Sequence, residues 1–423
     1  MKAALSVLVS LLVVLVVGTT AAMATPLPVA APATQTAGQS NGNVQSATAG
    51  ATSTQSSPSN VNIPVRVLSP GNDGSVDQSN SSTALAGAVN LNATQQQTGQ
   101  TQAGGGSGPA TQAAGQDNTS HQTADSTASS TQDSPSNVNI PVRVLSPGDD
   151  GSVSQSNDST AASLAANVNA TGQSVDQNQA GGGSGPAVQA AGQQNASTQS
   201  ADGTATSTQD HAVNYNIPVR VLSPGNDGSV DQSNSSTAVG LGVNANLTGQ
   251  KIDQNQAGGG GSYGGVPYVQ AAGQQSASTQ GATSDATSTQ CDPTNSNIPV
   301  RVLSPGNDGS VKQSNDSTAL SLAANLNKTD QSIGQHQAGL TPAVAALVQA
   351  AGQEATNNQD ADATATSTQS DPSNTNAPVR VLSPGDGGSV DQSNSSFAGA
   401  LALNANLLCQ SIWQNQGPVL VRP

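Results

Sequence analysis

The chain has 423 residues, of which 8% are charged and 1% aromatic, with 10 Lys+Arg against 25 Asp+Glu. So few large side chains leave little for a conventional enzyme core, and the acidic balance excludes a nucleic-acid binder, because phosphate contacts need positive charge. The 45 Gly and 23 Pro are too few for a collagen, and Asn, Gln, Ser, Thr and Ala fill the chain instead.

Met1-Lys2 opens a nearly unbroken apolar run from Ala3 to Gly18, followed by Ala22-Met23-Ala24. A positive start, a short apolar stretch and a small-x-small site make residues 1–24 a secretory signal cleaved after Ala24. No later stretch reaches membrane length, so no span is expected once the signal is gone. Export would permit a disulfide between Cys291 and Cys409. The same residues could equally stand as free or intermolecular thiols, since the other repeats have no cysteine at the matching places.

From there the chain is an array. The block Ile-Pro-Val-Arg-Val-Leu-Ser-Pro-Gly recurs at Pro64, Pro141, Pro218 and Pro299, and at Pro378 with Ala377 before it, at spacings of 77, 77, 81 and 79. This places a second half-unit at 25–57, whole units at 58–134, 135–211, 212–292 and 293–371, and a first half-unit at 372–423. Within each unit Pro64–Leu68 reads as a strand with alternating Val65, Arg66 and Val67. Ser69-Pro70-Gly71-Asn72-Asp73-Gly74 reads as a turn, and Ser75–Ser79 as a return strand, which predicts a β-hairpin. Ala88 to Thr94 alternates apolar and polar residues like a half-buried strand. Gly181 to Pro186 is a loop signal, and the four-residue insertion of the third unit falls in the glycine stretch Gly258 to Gly265. Asn195–Asp210 reads as rung or linker, and a local helix is allowed at Ala343–Gln349. A shorter period, Gln78, Gln100 and Gln122 at 22-residue spacing, suggests a strand–turn–strand rung of that length.

Amides hold fixed places in every unit. They are Gln78, Asn80, Asn90, Asn92, Gln96 and Gln100, then Gln155, Asn157, Asn167, Asn169, Gln173 and Gln177, then Gln232 and Asn234, Gln313 and Asn315, and Gln392 and Asn394. When identical layers stack, such side chains can hydrogen-bond up a ladder, which compensates for a thin hydrophobic core. The expected fold is all-β, a repetitive β-solenoid-like or stacked β-hairpin array with low-complexity polar linkers, partly disordered in one variant of the reading.

Other candidate sites have plain readings. Arg66, Arg143, Arg220, Arg301 and Arg380 are half of all basic residues and would repel in a stack unless acids such as Asp73 lie across the hairpin. The Asn72-Asp73-Gly74 loop lacks the ligand pattern of a calcium loop. Sequons such as Asn80, Asn157 and Asn234 fall inside expected strands. His121, His211 and His336 occupy unmatched places, and no nucleophile–base, metal or phosphate motif emerges, so no enzyme, metal or cofactor is expected.

The stretches Ser75-Val76-x-Gln78-x-Asn80 and Ala88-x-Asn90-x-Asn92-x-x-x-Gln96 resemble the curlin repeats of bacterial curli fibres. The resemblance covers about half of each unit. It departs in its shorter Ser–Gln spacing, in the missing in-strand glycine and in the long Pro-Val-Arg-Val block. The composition is also similar to secreted repeat proteins of actinobacteria such as the chaplins, without a chaplin motif. These resemblances imply a secreted functional amyloid of stacked strand–turn–strand layers. The expected function is a non-enzymatic, self-associating cell-surface or matrix fibre, with cell-wall or matrix components as further partners. The alternatives are a disordered polar spacer, or a repeat adhesin or ice-binding surface.

Overall fold

The computed structural model describes residues 19–23, 33–104, 108–181, 185–257, 267–339 and 346–418. All regular structure among them is strand. After β1 (Thr19–Met23) come five rungs of four strands each. The first holds β2 (Ala33–Ser56), β3 (Ser59–Asn62), β4 (Val65–Val67) and β5 (Val76–Gly104). The second holds β6 (Ala110–Asp133), β7 (Ser136–Asn139), β8 (Val142–Val144) and β9 (Val153–Gly181). The third holds β10 (Ala187–Asp210), β11 (Val213–Asn216), β12 (Val219–Val221) and β13 (Val230–Ala257). The fourth holds β14 (Pro267–Cys291), β15 (Thr294–Asn297), β16 (Val300–Val302) and β17 (Val311–Gly339). The fifth holds β18 (Ala346–Ser370), β19 (Ser373–Asn376), β20 (Val379–Val381) and β21 (Val390–Pro418).

Every strand pairs in parallel with its own equivalent in the next rung, residue on residue. This gives four sheets: an outgoing sheet β5-β9-β13-β17-β21 with β1 beside β5, a return sheet β2-β6-β10-β14-β18, and two short ones, β3-β7-β11-β15-β19 and β4-β8-β12-β16-β20. The molecule is a parallel β-solenoid whose turn is the whole repeat.

Strand propensity does not explain these elements, because Asn, Ala and Gly are poor strand formers and strands usually run about 5–6 residues. Here they run 24 and 29. The alternation that specifies them is of size and amide content. Along β10 every second residue is buried, and those residues include Gln189, Ala191, Gln193, Asn195, Ser197 and Gln199. The outgoing and return sheets face each other through these rows. Their middles are lined by Ala84, Ala161, Ala238 and Ala319 against Ala128, Ala205 and Ala286, so the sheets can approach closely. The larger apolar residues are few: Val175, Ile252 and Ile333 stack at one level, and Val153, Val230 and Val311 at another.

The corners stack as strictly as the strands. Leu145 N–H donates to the Val221 carbonyl at 3.0 Å and Gly148 N–H to the Pro224 carbonyl at 3.0 Å, one rung on. Gly148 has φ 145°, and a Cβ there would run into the Gly71 carbonyl of the rung before. Only glycine suits both constraints.

Several expectations are corrected. The Pro-Val-Arg-Val block and the Ser75–Ser79 segment do not form a hairpin. β4 and β5 lie in different sheets, and the turn between them is a corner of the coil, because each strand finds its partner one repeat away. The rung is not 22 residues long, since Gln78 and Gln100 share the single strand β5 and face inward together. Asn195–Asp210 is the body of β10 rather than a linker, and residues 346–349 continue as strand. The glycine-stretch insertion at 258–265 and the stretch 343–345 lie outside the described residues, as do residues 1–18 and 24 of the signal segment.

Replacing Gly148 by Ala is expected to cost about 2 kcal/mol or more, from positive φ combined with a backbone clash. Thermal unfolding of the variant measures it, with Gly192→Ala as control, because a Cβ at Gly192 meets nothing.

Candidate functional site

The amide positions form continuous ladders. Gln155 Nε2 donates to Gln78 Oε1 at 2.8 Å, Gln232 to Gln155 at 2.8 Å, Gln313 to Gln232 at 2.7 Å and Gln392 to Gln313 at 2.6 Å. The asparagines run the other way: Asn80 Nδ2 donates to Asn157 Oδ1, Asn157 to Asn234, Asn234 to Asn315 and Asn315 to Asn394, each at 2.9 Å. Asn90 and Asn167 stand in a third ladder, Asn92 and Asn169 in a fourth. Gln96 with Gln173, and Gln100 with Gln177, add two more. All of these are buried except Gln392 and Asn394, which belong to the last rung.

The remaining amide hydrogen often crosses between sheets. Gln96 donates to the Asp117 carbonyl at 2.9 Å and Gln100 to the Ala113 carbonyl at 2.9 Å. A carbonyl already in a ladder has a second lone pair for this. The amides therefore bind rung to rung and sheet to sheet at once. Burial also rules against the sequons: Asn80, Asn157 and Asn234 point into the core.

Sequence reasoning left out three further columns. Asn60, Asn137, Asn214, Asn295 and Asn374 form a ladder in a short sheet. The return sheet has its own glutamines, Gln112 to Gln189 to Gln270 among them. The third is a serine zigzag. Ser53, Ser82, Ser130, Ser159, Ser207, Ser236, Ser288, Ser317, Ser367 and Ser396 alternate between the two long sheets, each hydroxyl touching the next at 2.9–3.0 Å. Gln116, Gln122 and Gln132 recur at the same spacing in every second half-unit, and this register is the signal in the sequence for the return-sheet glutamines. Serine was too abundant to give one.

The arginines form a charged column. Arg66 Nε meets Asp73 at 2.5 Å. Arg143 lies between Asp73, at 2.8 Å, and Asp150, at 2.6 Å. Arg220 lies between Asp150 and Asp227, at 3.0 and 2.8 Å. Arg301 lies between Asp227 and Asp308, at 2.8 and 3.0 Å. Arg380 reaches Asp308 at 2.7 Å. The three middle side chains are 1% exposed. Each also donates to a carbonyl of the preceding corner, as Arg143 does to Gly71 at 2.7 Å. Like charges are thus separated by opposite ones, and the Asp73-type carboxylates are turned onto guanidinium groups. Among the described residues no acid, His or Cys cluster could hold a metal.

Burial pushes the Asp150 carboxyl up to about 6 from 3.8, with Asp227 adding and Arg220 and Arg143 opposing. Cys291 and Cys409 are free thiols. They sit on the outer faces of opposite sheets, in β14 and β21, so the intramolecular bridge is not formed. Burial, with Asp210 and Asp292 beside it, raises the Cys291 thiol. His121 and His336 face outward on different sheets, and exposed His211 sits at a corner between Asp210 and Asp292. On the outer face of the return sheet Thr54, Thr131, Thr208, Thr289 and Thr368 form one column, and Thr52, Ser129, Thr206, Thr287 and Thr366 the next.

Among the described residues the two ends of the coil are open edges. The first rung presents β2, β3, β4 and β5, with only Gln95–Gly99 of β5 covered by β1. The last presents β18 to β21. Their inward residues match: Gln39, Asn43, Gln45, Ser53, Asn60, Arg66, Gln78 and Asn90 of one stand where Gln353, Asn357, Gln359, Ser367, Asn374, Arg380, Gln392 and Asn404 stand in the other.

No protein-family model matches the chain, and neither a curated protein nor a solved structure matches it.

Two predictions follow from these columns. Asn157→Leu leaves the amides of Asn80, Asn234 and Asn137 short of a partner and is expected to cost about 2–4 kcal/mol, read by denaturant unfolding. For Asp150 the raised value means that the folded state holds this proton more tightly. Its contribution is full below about pH 4 and is lost as pH rises through about 6. Unfolding free energies measured from pH 4 to 7 are expected to fall in that window, and Asp150→Asn is expected to flatten the slope.

Proposed function

We propose that this chain is an exported, non-enzymatic structural protein that assembles head to tail into a fibre at the cell surface or in the extracellular matrix. The observation that carries the reading is the match between the two open ends. A rung exposes strands of 24, 4, 3 and 29 residues to its neighbour, and open parallel edges are templates for further pairing. The ladders have a polarity that suits only one arrangement. At the last rung Gln392 has an unused acceptor and Asn394 an unused donor. A second copy's first rung offers Gln78 as donor and Asn80 as acceptor. The four sheets, and the amide ladders that run through all five rungs, then continue through the junction.

Export supplies the timing in this reading. β1 lies inside the expected signal, so cleavage after Ala24 would bare the whole β5 edge. The curlin likeness agrees in class, since both readings give stacked Ser, Gln and Asn rungs, although a rung here is far longer. All regular structure among the described residues is strand, which removes support from a disordered spacer. The threonine columns favour a second reading, in which the outer return face binds a regular surface such as ice or a polymer.

Incubating the chain from residue 25 is expected to give fibres with a meridional reflection near 4.8 Å. Asn394→Lys with Asn404→Lys is expected to abolish fibres while leaving the far-ultraviolet circular dichroism of the monomer unchanged. Wild-type chain that remains a folded monomer at high concentration refutes the fibre and favours the threonine face.

A further inference from the structure

The arginine column has a gap. Asp73, Asp150, Asp227 and Asp308 each follow an Asn or Asp in the corner loop and each sits between two guanidinium groups. In the fifth corner the sequence is Asp386-Gly387-Gly388, and Gly387 stands where the aspartate belongs. The column therefore runs Arg66, Asp73, Arg143, Asp150, Arg220, Asp227, Arg301, Asp308, Arg380, beginning and ending on a cation. Arg380 has the preceding carboxylate but not its own. Arg66 has its own but no preceding one. Their side chains are 20% and 30% exposed, against 1% for the three between.

Asp386 does not fill the gap. Its column is that of Asn72, Asp149, Asn226 and Asn307, whose side-chain oxygens accept the next rung's backbone N–H, as Asn72 does from Asp149 at 2.9 Å. At a junction Asp386 would receive the Asn72 N–H of the next copy. Its carbonyl is already bound to Arg380.

We propose that the head-to-tail junction contains a binding site for one small anion, a monocarboxylate or oxyanion of similar size, between Arg380 of one copy and Arg66 of the next. This rests on the head-to-tail reading above. Joining the ends places two guanidinium groups one rung apart, about 4.8 Å, and shields them from water with no carboxylate between. A buried uncompensated charge of this kind opposes association. The missing group is a carboxymethyl, and acetate has its shape and charge. Nothing on its own rung or the rung before blocks it, since a Cβ at Gly387 would meet nothing within 4 Å. Two guanidinium forks converging on one carboxylate are already the pattern at Asp150 and Asp227.

The test is the critical concentration for assembly of the chain from residue 25, by sedimentation at fixed ionic strength and pH. Sodium acetate and sodium phosphate are compared with the sodium salt of a bulky aryl sulfonate. Gly387→Asp and its neutral isostere Gly387→Asn are measured alongside, with circular dichroism to show that each monomer folds. Acetate is expected to lower the wild-type critical concentration at least about tenfold, the equivalent of one charge-assisted hydrogen bond regained. Gly387→Asp is expected to assemble as well in every salt, and Gly387→Asn to gain nothing by itself. Fibres that form equally in all salts, with Gly387→Asp no better than wild type, overturn the anion site and leave head-to-tail assembly standing. No fibres from folded wild type and folded Gly387→Asp in any salt overturn head-to-tail assembly, and the site with it.

Discussion

A buried primary amide has two donors and an acceptor to satisfy, and everything in this molecule follows from the way it satisfies them. Gln155 and Asn157 do so with copies of themselves one rung above and below. Self-recognition of this kind needs the same residue at the same height every 4.8 Å or so. It therefore needs a sequence repeat with no slippage inside the strands. The repeat changes length only between the outgoing strand and the return strand. This constraint explains how a chain with 1% aromatics dispenses with a conventional core. Each satisfied amide adds about 1 kcal/mol net, and a mismatch costs more than that because the neighbours on both sides lose a partner.

The charged column solves the same problem for ions. Five identical arginines in register would repel, so a carboxylate from the corner loop is interleaved between each neighbouring pair. The geometry ties the corner to the strand: Arg143 touches Asp73 and the Gly71 carbonyl of one rung and Asp150 of its own. The Pro-Val-Arg-Val block is the best-kept segment of the repeat for this reason. Its arginine clamps two rungs and two corner loops, whereas the valines beside it face outward.

Much of this was legible in the residues. The spacing of Gln78, Asn80, Gln96 and Gln100 against Gln155, Asn157, Gln173 and Gln177 identifies the columns. The Arg66–Asp73 pairing could be inferred from like-charge repulsion. The rung length was not legible, because the inward face is Gln, Asn, Ser and Ala: in the alternating stretch Ala88 to Thr94 it is Asn90 and Asn92 that are buried, while Leu91 is exposed. Asn195–Asp210 therefore read as rung or linker without a way to choose between them. The corner was mistaken for a hairpin because Asp-Gly after a β-branched run is the usual hairpin signal, and nothing local tells a strand that its partner is 77 residues away. The serine zigzag was hidden by the abundance of serine.

That distance between partners governs how such a chain can fold at all. A strand of 29 residues gains almost nothing until an equivalent strand is already in place, and the first pair must close a loop of a full repeat before any ladder forms. Non-local pairing of this kind raises the entropic barrier to forming the first rung pair. An existing rung removes the obstacle, since it displays the edge, the register and the donor–acceptor pattern that the arriving segment lacks. The fold is in effect its own catalyst. Within the chain, each finished layer presents its neighbour with a complete set of strand partners.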